Sequence, residues 1–439
     1  MGRTSRAVRS ALTTVFCALV VACSGTHESN AQPAPALQAS GGINRAEHRQ
    51  KPSLLLVSFD GFRADYLDRF DLPNFRRVMA RGIRARGMHP VFPTITFPNH
   101  YSLVTGLYPE HHGIVENSFF DPVRNAAFSF RNPLTVTDGS WYGGEPIWVT
   151  AERQGMVAAC FFWPGSDADV KGLRPTFWNR YDGSVPNQRR IETVLGWLGL
   201  PDERRPHVIT LYFSDVDSAS HAGTLDSPRV NDALRTVDAS IGTLVDGIDA
   251  LPIRSQVYLL VTSDHGMVET TAKQGIRLDS LVDMDDIEQS FGGPVGMLHV
   301  RGGEPARASR VRDAINARLQ HGRAYLRHEV PERHRFRDDR RIGDVVIIME
   351  DAWTIVVTPR LAEAAIGMVR PDRWGAHGWD PALPAMHAIF IASGPDIRAG
   401  ATLPVMHNVD VYPLMTELLG LRPAPGIDGK PGLKHLLMR

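Results

Sequence analysis

Short apolar runs recur along this chain, and they close on an acidic residue. "SLLLVSFD" (53–60), "VITLYFSD" (208–215) and "VYLLVTSDHG" (257–266) share that design, with "VAACFFWPGSD" (157–167) and "HAIFIASGPD" (387–396) as variants. None alternates polar with apolar residues, so each reads as a strand buried on both faces. Helix-patterned segments lie between them: "LPNFRRVMARGI", "QRRIETVLGWLGL", "SPRVNDALRTVDASIGTLVDGIDAL" and "NVDVYPLMTELLGL". Strands alternating with helices imply an α/β fold, a mostly parallel sheet sandwiched by helices. Ligands bind such sheets beyond the carboxyl ends of the strands, where Asp60, Asp264 and Asp217 fall. An Arg-rich stretch from about 294 to 370 reads as a small inserted α+β subdomain on the same core.

Charge narrows the partners. Lys and Arg number 48 and Asp and Glu 48, for a formal net charge of +0. No basic surplus exists to release counterions from a nucleic-acid duplex, so none is expected as a partner. A small anionic substrate needs only local charge. The N-terminus carries a different message. "MGRTSRAVRSALTTVFCALVVACSG" has an arginine-rich start, a short apolar run and then small residues, the layout of an export signal over residues 1–23. "VVAC" resembles a lipobox, so cleavage before Cys23 and lipidation of Cys23 are preferred over plain secretion. The expected location is periplasmic or lipid-anchored in a bacterial envelope. Residues 24–50 are polar, contain Pro and Gly, and read as a flexible tether. Cys17 and Cys23 lie in the signal. Only Cys160 remains, inside an apolar run, so a buried thiol and no intrachain disulfide are expected.

Acidic residues and histidines supply the candidate chemistry. Asp60 closes one strand. Asp264 and His265 close another, and they can serve one ligand only where the strand unravels, which Gly266 permits. Asp217 and His221 are four apart, which places both on one face if the stretch is helical; Asp215 is a competitor at less favourable spacing. His377 sits between glycines in "WGAHGWD". Carboxylate and imidazole suit zinc, and two metals a few ångströms apart form a clamp for displacement at phosphorus. "HPVFPTITFPNHYSLVTG" (89–106) adds Thr94 and Thr96 just ahead of a helix. Either reads as a cap or as a nucleophile. His111 and His112 read as structural, His100 as fixing the helix after Thr96, and His387 as core or support.

"SFDGFRADYL", "FPTITFPNHYSLVTGLYPEHHGIVENSFFD", "GGEPIWVTAERQG", "FFWPGSD", "YDGSVP", "TSDHGM" and "HGWDPALPAMHAIFIASGP" resemble, in order, the nucleotide pyrophosphatase/phosphodiesterase (type I phosphodiesterase) family of the alkaline-phosphatase superfamily. The resemblance runs from about 53 to 420 and implies an alkaline-phosphatase-like catalytic domain over 51–439. It implies Thr96 as nucleophile, forming a covalent nucleotidyl intermediate. It implies two Zn2+, one held at Asp60, Thr96, Asp264 and His265 and the other at Asp217, His221 and His377. It places the family's phosphate-binding asparagine at Asn117 and base-stacking positions at Phe130 and Tyr181, with Phe97 nearby. Trp163 and Asp167 are further candidates for the pocket wall. Phe130 is aromatic where relatives carry an aliphatic residue.

The resemblance implies a phosphodiesterase or pyrophosphatase releasing a nucleoside 5′-monophosphate. A threonine hydroxyl is a weak nucleophile, and coordination at a helix start favours its alkoxide. Asn117 and the Phe97 N–H are expected to hold a nonbridging phosphate oxygen. The alternatives with the same bimetal site are a lysophospholipase C or choline-phosphodiester hydrolase, and a phosphomonoesterase. A sulfatase is disfavoured because no "CxPxR" segment is present. A lipoprotein that only binds metal or nucleotide has no need of Thr96. Thr94 keeps the reading of a loop threonine.

Overall fold

The computed structural model describes residues 38–39, 42–357 and 372–438. The export signal, most of the tether and the end of the expected subdomain, 358–370, lie outside the described residues. Three of the apolar runs are strands buried along their whole length: Ser53–Phe59, Val208–Phe213 and Val257–Thr262. Ser53–Phe59 is central. It pairs in parallel with both others, Leu54 against Val208 and against Tyr258. Parallel pairing brings their three acidic ends to one edge of the sheet.

Each central strand feeds both faces. Leu54, Leu56 and Leu260 join one apolar cluster, with Tyr101, Trp148 and Tyr412. Leu55, Val57, Leu259 and Val261 join the other, with Phe75, Leu234 and Ile241. That is why the runs lack alternation: period-two side chains meet an apolar layer on either side. Replacing Leu55 by Ala would leave a cavity and cost about 2–5 kcal/mol.

Nine described strands form the main sheet. Ala158–Phe161, which holds the buried free Cys160, pairs in parallel with Val208–Phe213. Phe390–Ser393 pairs antiparallel with Val257–Thr262, so the sheet is mostly and not wholly parallel. The covering helices include Pro73–Arg81, Asn187–Leu198, Pro228–Ala250 and Val411–Leu419. Pro228 opens the longest at its first turn, where no N–H is required, and the Ser227 hydroxyl accepts from Val230 N–H.

A second, four-stranded antiparallel sheet runs in the order Ile287–Phe291, Val295–Val300, Val345–Met349, Gly322–Leu326. Helix Pro305–Asn316 packs on it, and Leu298, Val311, Ile315 and Ile347 form its own apolar cluster. Asp121 ties this lobe to the main body. Its carboxylate accepts from Arg340 at 2.8 Å and Arg341 at 3.0 Å, while Arg341 also donates to the carbonyls of Gly113 and Trp141. The segment it braces is the hairpin that follows Asn117. No described helix is long and apolar enough to cross a membrane.

Candidate active site at the strand ends

Three carboxylates meet beyond the strand ends. Asp60 follows Phe59 directly. Gly61 then turns at φ +69°, and a Cβ there would press on Asp217 at 3.0 Å, so glycine is needed for both conformation and approach. The third strand ends at Thr262, and Asp264 and His265 lie in irregular backbone beyond it. Both can therefore serve one site. A Cβ on Gly266 would come within 2.0 Å of the Ala385 carbonyl, so only glycine fits. Helix Asp215–His221 carries Asp217 and His221 on one face, with His221 Nε2 at 3.2 Å from Asp217 Oδ1. Asp215 turns away and accepts from the Asn187 amide at 2.9 Å.

Each carboxylate has one unpaired oxygen. Asp60 Oδ2 accepts from the Tyr212 hydroxyl at 2.5 Å, and Asp264 Oδ1 accepts from Gly61 N–H at 3.1 Å. Asp60 Oδ1, Asp264 Oδ2 and Asp217 Oδ1 are buried without a hydrogen-bond partner. The three imidazoles are oriented in the same sense. His265 donates Nδ1–H to the Gly266 carbonyl at 3.0 Å, His221 to Gly375 at 2.9 Å and His377 to Thr94 at 2.9 Å. Carbonyls only accept, so Nδ1 carries a proton in each ring and Nε2 presents a lone pair whenever the ring is neutral; at His265 burial favours that neutral form, but Asp264 outweighs it and raises the pKa. Those lone pairs face carboxylate oxygens. His265 Nε2 lies 2.9 Å from Asp264 Oδ2 and 3.5 Å from Asp60 Oδ1, and His377 Nε2 lies 3.6 Å from Asp217 Oδ1.

Burial and mutual charge set the protonation preferences of the cluster. Burial pushes the Asp60 carboxyl well above the usual carboxylate range, and Asp264 and Asp217 add to it. Burial acts on Asp264 and Asp217 as well. His265 and His100 outweigh it at the first, and His221 and His377 at the second, so both are held below the ordinary value. Burial, with His265 and His221 adding and Asp217 opposing, pushes His377 down to about 3. Lone pairs aimed at orphaned carboxylate oxygens are what cation ligands look like, and the carbonyl-held Nδ1–H is the usual support of a metal-ligating histidine. The donor set fits a borderline dication. Asp60, Asp217 and His265 lie within reach of one ion, as do Asp217, His221 and His377. His100 is also close to Asp60 and Asp264, but its nitrogens are engaged by the Thr96 carbonyl at 3.0 Å and Ser58 Oγ at 2.8 Å.

Thr96 stands beside this cluster. It is the first residue of helix Thr96–Thr105, its Oγ1 lies 3.4 Å from His265 Nε2, and its position is fixed by His100 on its carbonyl. Asn117 sits next to it. The Phe97 N–H, expected to face a ligand, is donated to Asn117 Oδ1 at 2.9 Å. That bond leaves the Asn117 amide nitrogen as the donor end. Thr96, Phe97 and Asn117 edge one cavity of about 710 Å³. Its lining includes Asp60, Thr96, Asp217, His221 and His377, together with Phe97, Phe130, Trp163, Asp167 and Tyr181. Asp264 and His265 are fully buried behind that wall. Phe130 and Tyr181 are partly exposed, and the Phe97 and Phe130 rings lie 5.7 Å apart. Trp163 spends its N–H on the His100 carbonyl at 2.9 Å. Burial pushes the Asp167 carboxyl up to about 6, with Arg180 and Arg174 opposing.

Two contributors escaped the sequence reading. Thr94 is no ordinary loop threonine: its hydroxyl donates to Trp379 O and accepts from Gly378 N–H, each at 2.9 Å, and its carbonyl holds His377. It fixes the loop that carries His377. Tyr212, in the middle of an apolar strand, holds Asp60. His112 pairs with Ser102 Oγ at 2.9 Å and His111 with Asp428, both away from the cluster.

Known proteins resemble this chain in sequence and in fold. The sequence profile described as "Type I phosphodiesterase / nucleotide pyrophosphatase" matches residues 54–380. Human ectonucleotide pyrophosphatase/phosphodiesterase family member 1 is 38% identical over 397 residues, covering 88% of this chain and 42% of the relative. A venom phosphodiesterase from Macrovipera lebetinus is 34% identical over 398 residues, covering 88% of this chain and 45% of that protein. The chain thus spans less than half the length of these curated relatives. Among solved structures, an inactive threonine-to-alanine variant of murine ectonucleotide pyrophosphatase/phosphodiesterase 5, in complex with AMP, superimposes with a TM-score of 0.80 at 31% identity. It covers 89% of this chain and 100% of that one. The fold is therefore alkaline-phosphatase-like, and the chain belongs to the type I phosphodiesterase/nucleotide pyrophosphatase family.

Proposed function

We propose that this chain is a two-zinc nucleotide phosphodiesterase/pyrophosphatase that releases a nucleoside 5′-monophosphate. One observation carries the reading. A cluster of three orphaned carboxylate oxygens and three imidazoles reaches the Thr96 hydroxyl through His265, and the cavity that Thr96 lines is also lined by Phe97, Phe130 and Tyr181. The curated relatives are named phosphodiesterases and pyrophosphatases, and a solved relative binds AMP, which supports the same substrate class.

Asp60, Asp264 and His265, with Thr96, would hold one zinc, and Asp217, His221 and His377 the other. When bound, the pair supplies Lewis acidity that lowers the Thr96 hydroxyl pKa and offsets charge on the phosphoryl oxygens. Thr96 Oγ1 bonds to phosphorus as the bond from phosphorus to the leaving oxygen breaks. Water then displaces Thr96 from the covalent nucleotidyl ester, and a proton returns to its hydroxyl. The Asn117 amide N–H donates to a nonbridging oxygen, held in place by its bond to Phe97 N–H. Phe97, Phe130 and Tyr181 offer flat apolar surface to a base, worth ~1–3 kcal/mol per stacked base in nucleic-acid binders.

The test combines one variant and one substrate panel. Thr96→Ala should lose at least ~10³-fold in turnover while keeping zinc content and AMP binding. Wild-type protein, with and without chelator, would be offered nitrophenyl thymidine monophosphate, nitrophenyl phosphate and nitrophenyl phosphorylcholine. Preference for the second or third sinks the substrate assignment. Turnover that survives metal removal sinks the mechanism.

A further inference from the structure

The loop that carries His377 is held from two directions. The main body holds its backbone and the His377 ring. The Thr94 carbonyl takes the His377 Nδ1–H, and the Thr94 hydroxyl meets Gly378 N–H and Trp379 O. The four-stranded lobe holds the side chains that follow. The Trp379 indole, 1% exposed, donates its N–H to the Trp353 carbonyl at 2.9 Å, and Trp353 packs against the lobe's own apolar cluster. Asp380 pairs with Arg333 at 2.6 Å, and Arg333 stands in the connection between lobe strands Gly322–Leu326 and Val345–Met349. Pro294, at the entry to lobe strand Val295–Val300, presses on the same loop. A Cβ on Gly378 would come within 2.9 Å of Pro294 Cγ and 3.0 Å of Ile95 Cδ1, and the φ of +121° also favours glycine there.

We propose that Trp379 and Arg333 are positioning residues for His377, and that through them the inserted lobe sets how tightly the cleft holds the metal on its His377 side. The proposal rests on the two-zinc reading of the cleft. Its warrant is that the two halves of the cluster are supported by different parts of the chain. The deep ligands are held within the main body: Asp60 by the Tyr212 hydroxyl, Asp264 by Gly61 N–H and His265 by the Gly266 carbonyl. The loop of His377 is held by the main body on one side and by the lobe on the other. A displacement of the lobe therefore reaches the rim ligand and bypasses the deep ones.

The two lobe contacts differ in weight. The indole of Trp379 is buried, so its N–H without the Trp353 carbonyl would be a donor cut off from water. Arg333 has a side chain 58% exposed, so its pair with Asp380 contributes little alone. Asp380 is kept in place for it by a second bond, from Ala382 N–H at 2.9 Å.

Amide exchange and zinc titration test the proposal together. Trp379→Phe removes the N–H and keeps an aromatic ring. Arg333→Ala removes the charge, and Arg333→Lys restores it. In chelator, the amides of residues 375–380 should exchange about tenfold faster in Trp379→Phe and about twofold to fivefold faster in Arg333→Ala, with Arg333→Lys close to wild type. In calorimetric titration, one zinc affinity should fall about 10–100-fold in Trp379→Phe and about twofold to fivefold in Arg333→Ala, with the other affinity unchanged. A role in fold stability alone would lower Tm and leave the ratio of the two affinities as it was. Exchange at the wild-type rate in both Trp379→Phe and Arg333→Ala, or an equal loss at both metals, overturns the proposal. Wild type binding fewer than two zinc ions overturns the reading of the cleft instead, and the exchange rates then decide whether the lobe holds the loop.

Discussion

The two halves of the candidate metal cluster are built differently. Asp60, Asp264 and His265 stand on strand ends, with side chains 2%, 0% and 0% exposed. Asp217, His221 and His377 stand on a short helix and a loop, with side chains 17%, 42% and 7% exposed. The deep half inherits its geometry from the parallel ladder, whose registers run unbroken from Leu54 to Ser58. The rim half relies on two long-range hydrogen bonds, His221 to the Gly375 carbonyl and His377 to the Thr94 carbonyl. Rigidity therefore concentrates in the deep half, and adaptability in the more exposed one.

Removing one imidazole from each half breaks the comparison most directly. His265 Nε2 touches Asp264, Asp60 and Thr96 within 3.5 Å, in a place that solvent does not reach. His265→Ala should cost at least ~10³-fold in hydrolysis, and added zinc should not restore it, because the one imidazole facing two orphaned carboxylate oxygens and the Thr96 hydroxyl is gone. His221→Ala should cost about 10²-fold and recover most of that in millimolar zinc, since water can take a position on the exposed side. Zinc-titrated hydrolysis of nitrophenyl thymidine monophosphate measures both. Equal rescue of the two variants would mean the halves are not distinct.

Thr94 gives a finer cut. Thr94→Val keeps the shape and the carbonyl but removes the hydroxyl that binds Trp379 O and Gly378 N–H. The His377 loop then loses two tethers while the deep half keeps all of its own. Zinc affinity at the rim should weaken about 10–100-fold, with the deep zinc unaffected. Metal titration followed by isothermal calorimetry resolves two affinities. A matching loss at both would place Thr94 as support for the whole cluster.

The same contrast explains what the sequence could show. The deep half follows from strand ends, and an apolar run closing on Asp60 or Asp264 is visible in one dimension. Asp217 and His221 follow from helical spacing. Gly61 and Gly266 are visible as residues, though their reason, contact with Asp217 and with Ala385 O, is not. Thr94 and Tyr212 stay hidden because hydrogen bonds made by a loop hydroxyl, or by a tyrosine inside an apolar strand, leave no periodic trace. The Phe97 N–H was expected to be open to ligand, and only coordinates reveal its bond to Asn117. Backbone carbonyls as partners of His221 and His377 are invisible for a simpler reason: every residue has one.

The smallest effect concerns the stability of the deep half itself. Asp60 is buried beside two other carboxylates, which raises its pKa well above the ordinary value of about 3.9. A group whose folded pKa is raised favours folding when protonated. Its contribution is intact below the unfolded pKa and is lost as pH rises through the folded one. Metal-free protein therefore stores a penalty at neutral pH that an amide would not. Asp60→Asn keeps an oxygen for the Tyr212 hydroxyl and removes the charge, so in chelator it should stabilise the fold by about 1–2 kcal/mol at pH 7.5 and by close to nothing at pH 3.5. With zinc present the sign should reverse, because wild type alone regains the bound ion. Urea melts at the two pH values, with and without zinc, measure all four states. Destabilisation of the metal-free protein at pH 7.5 would show that the Asp60 carboxylate is satisfied without a cation, and the deep half would then lose its claim as a metal site.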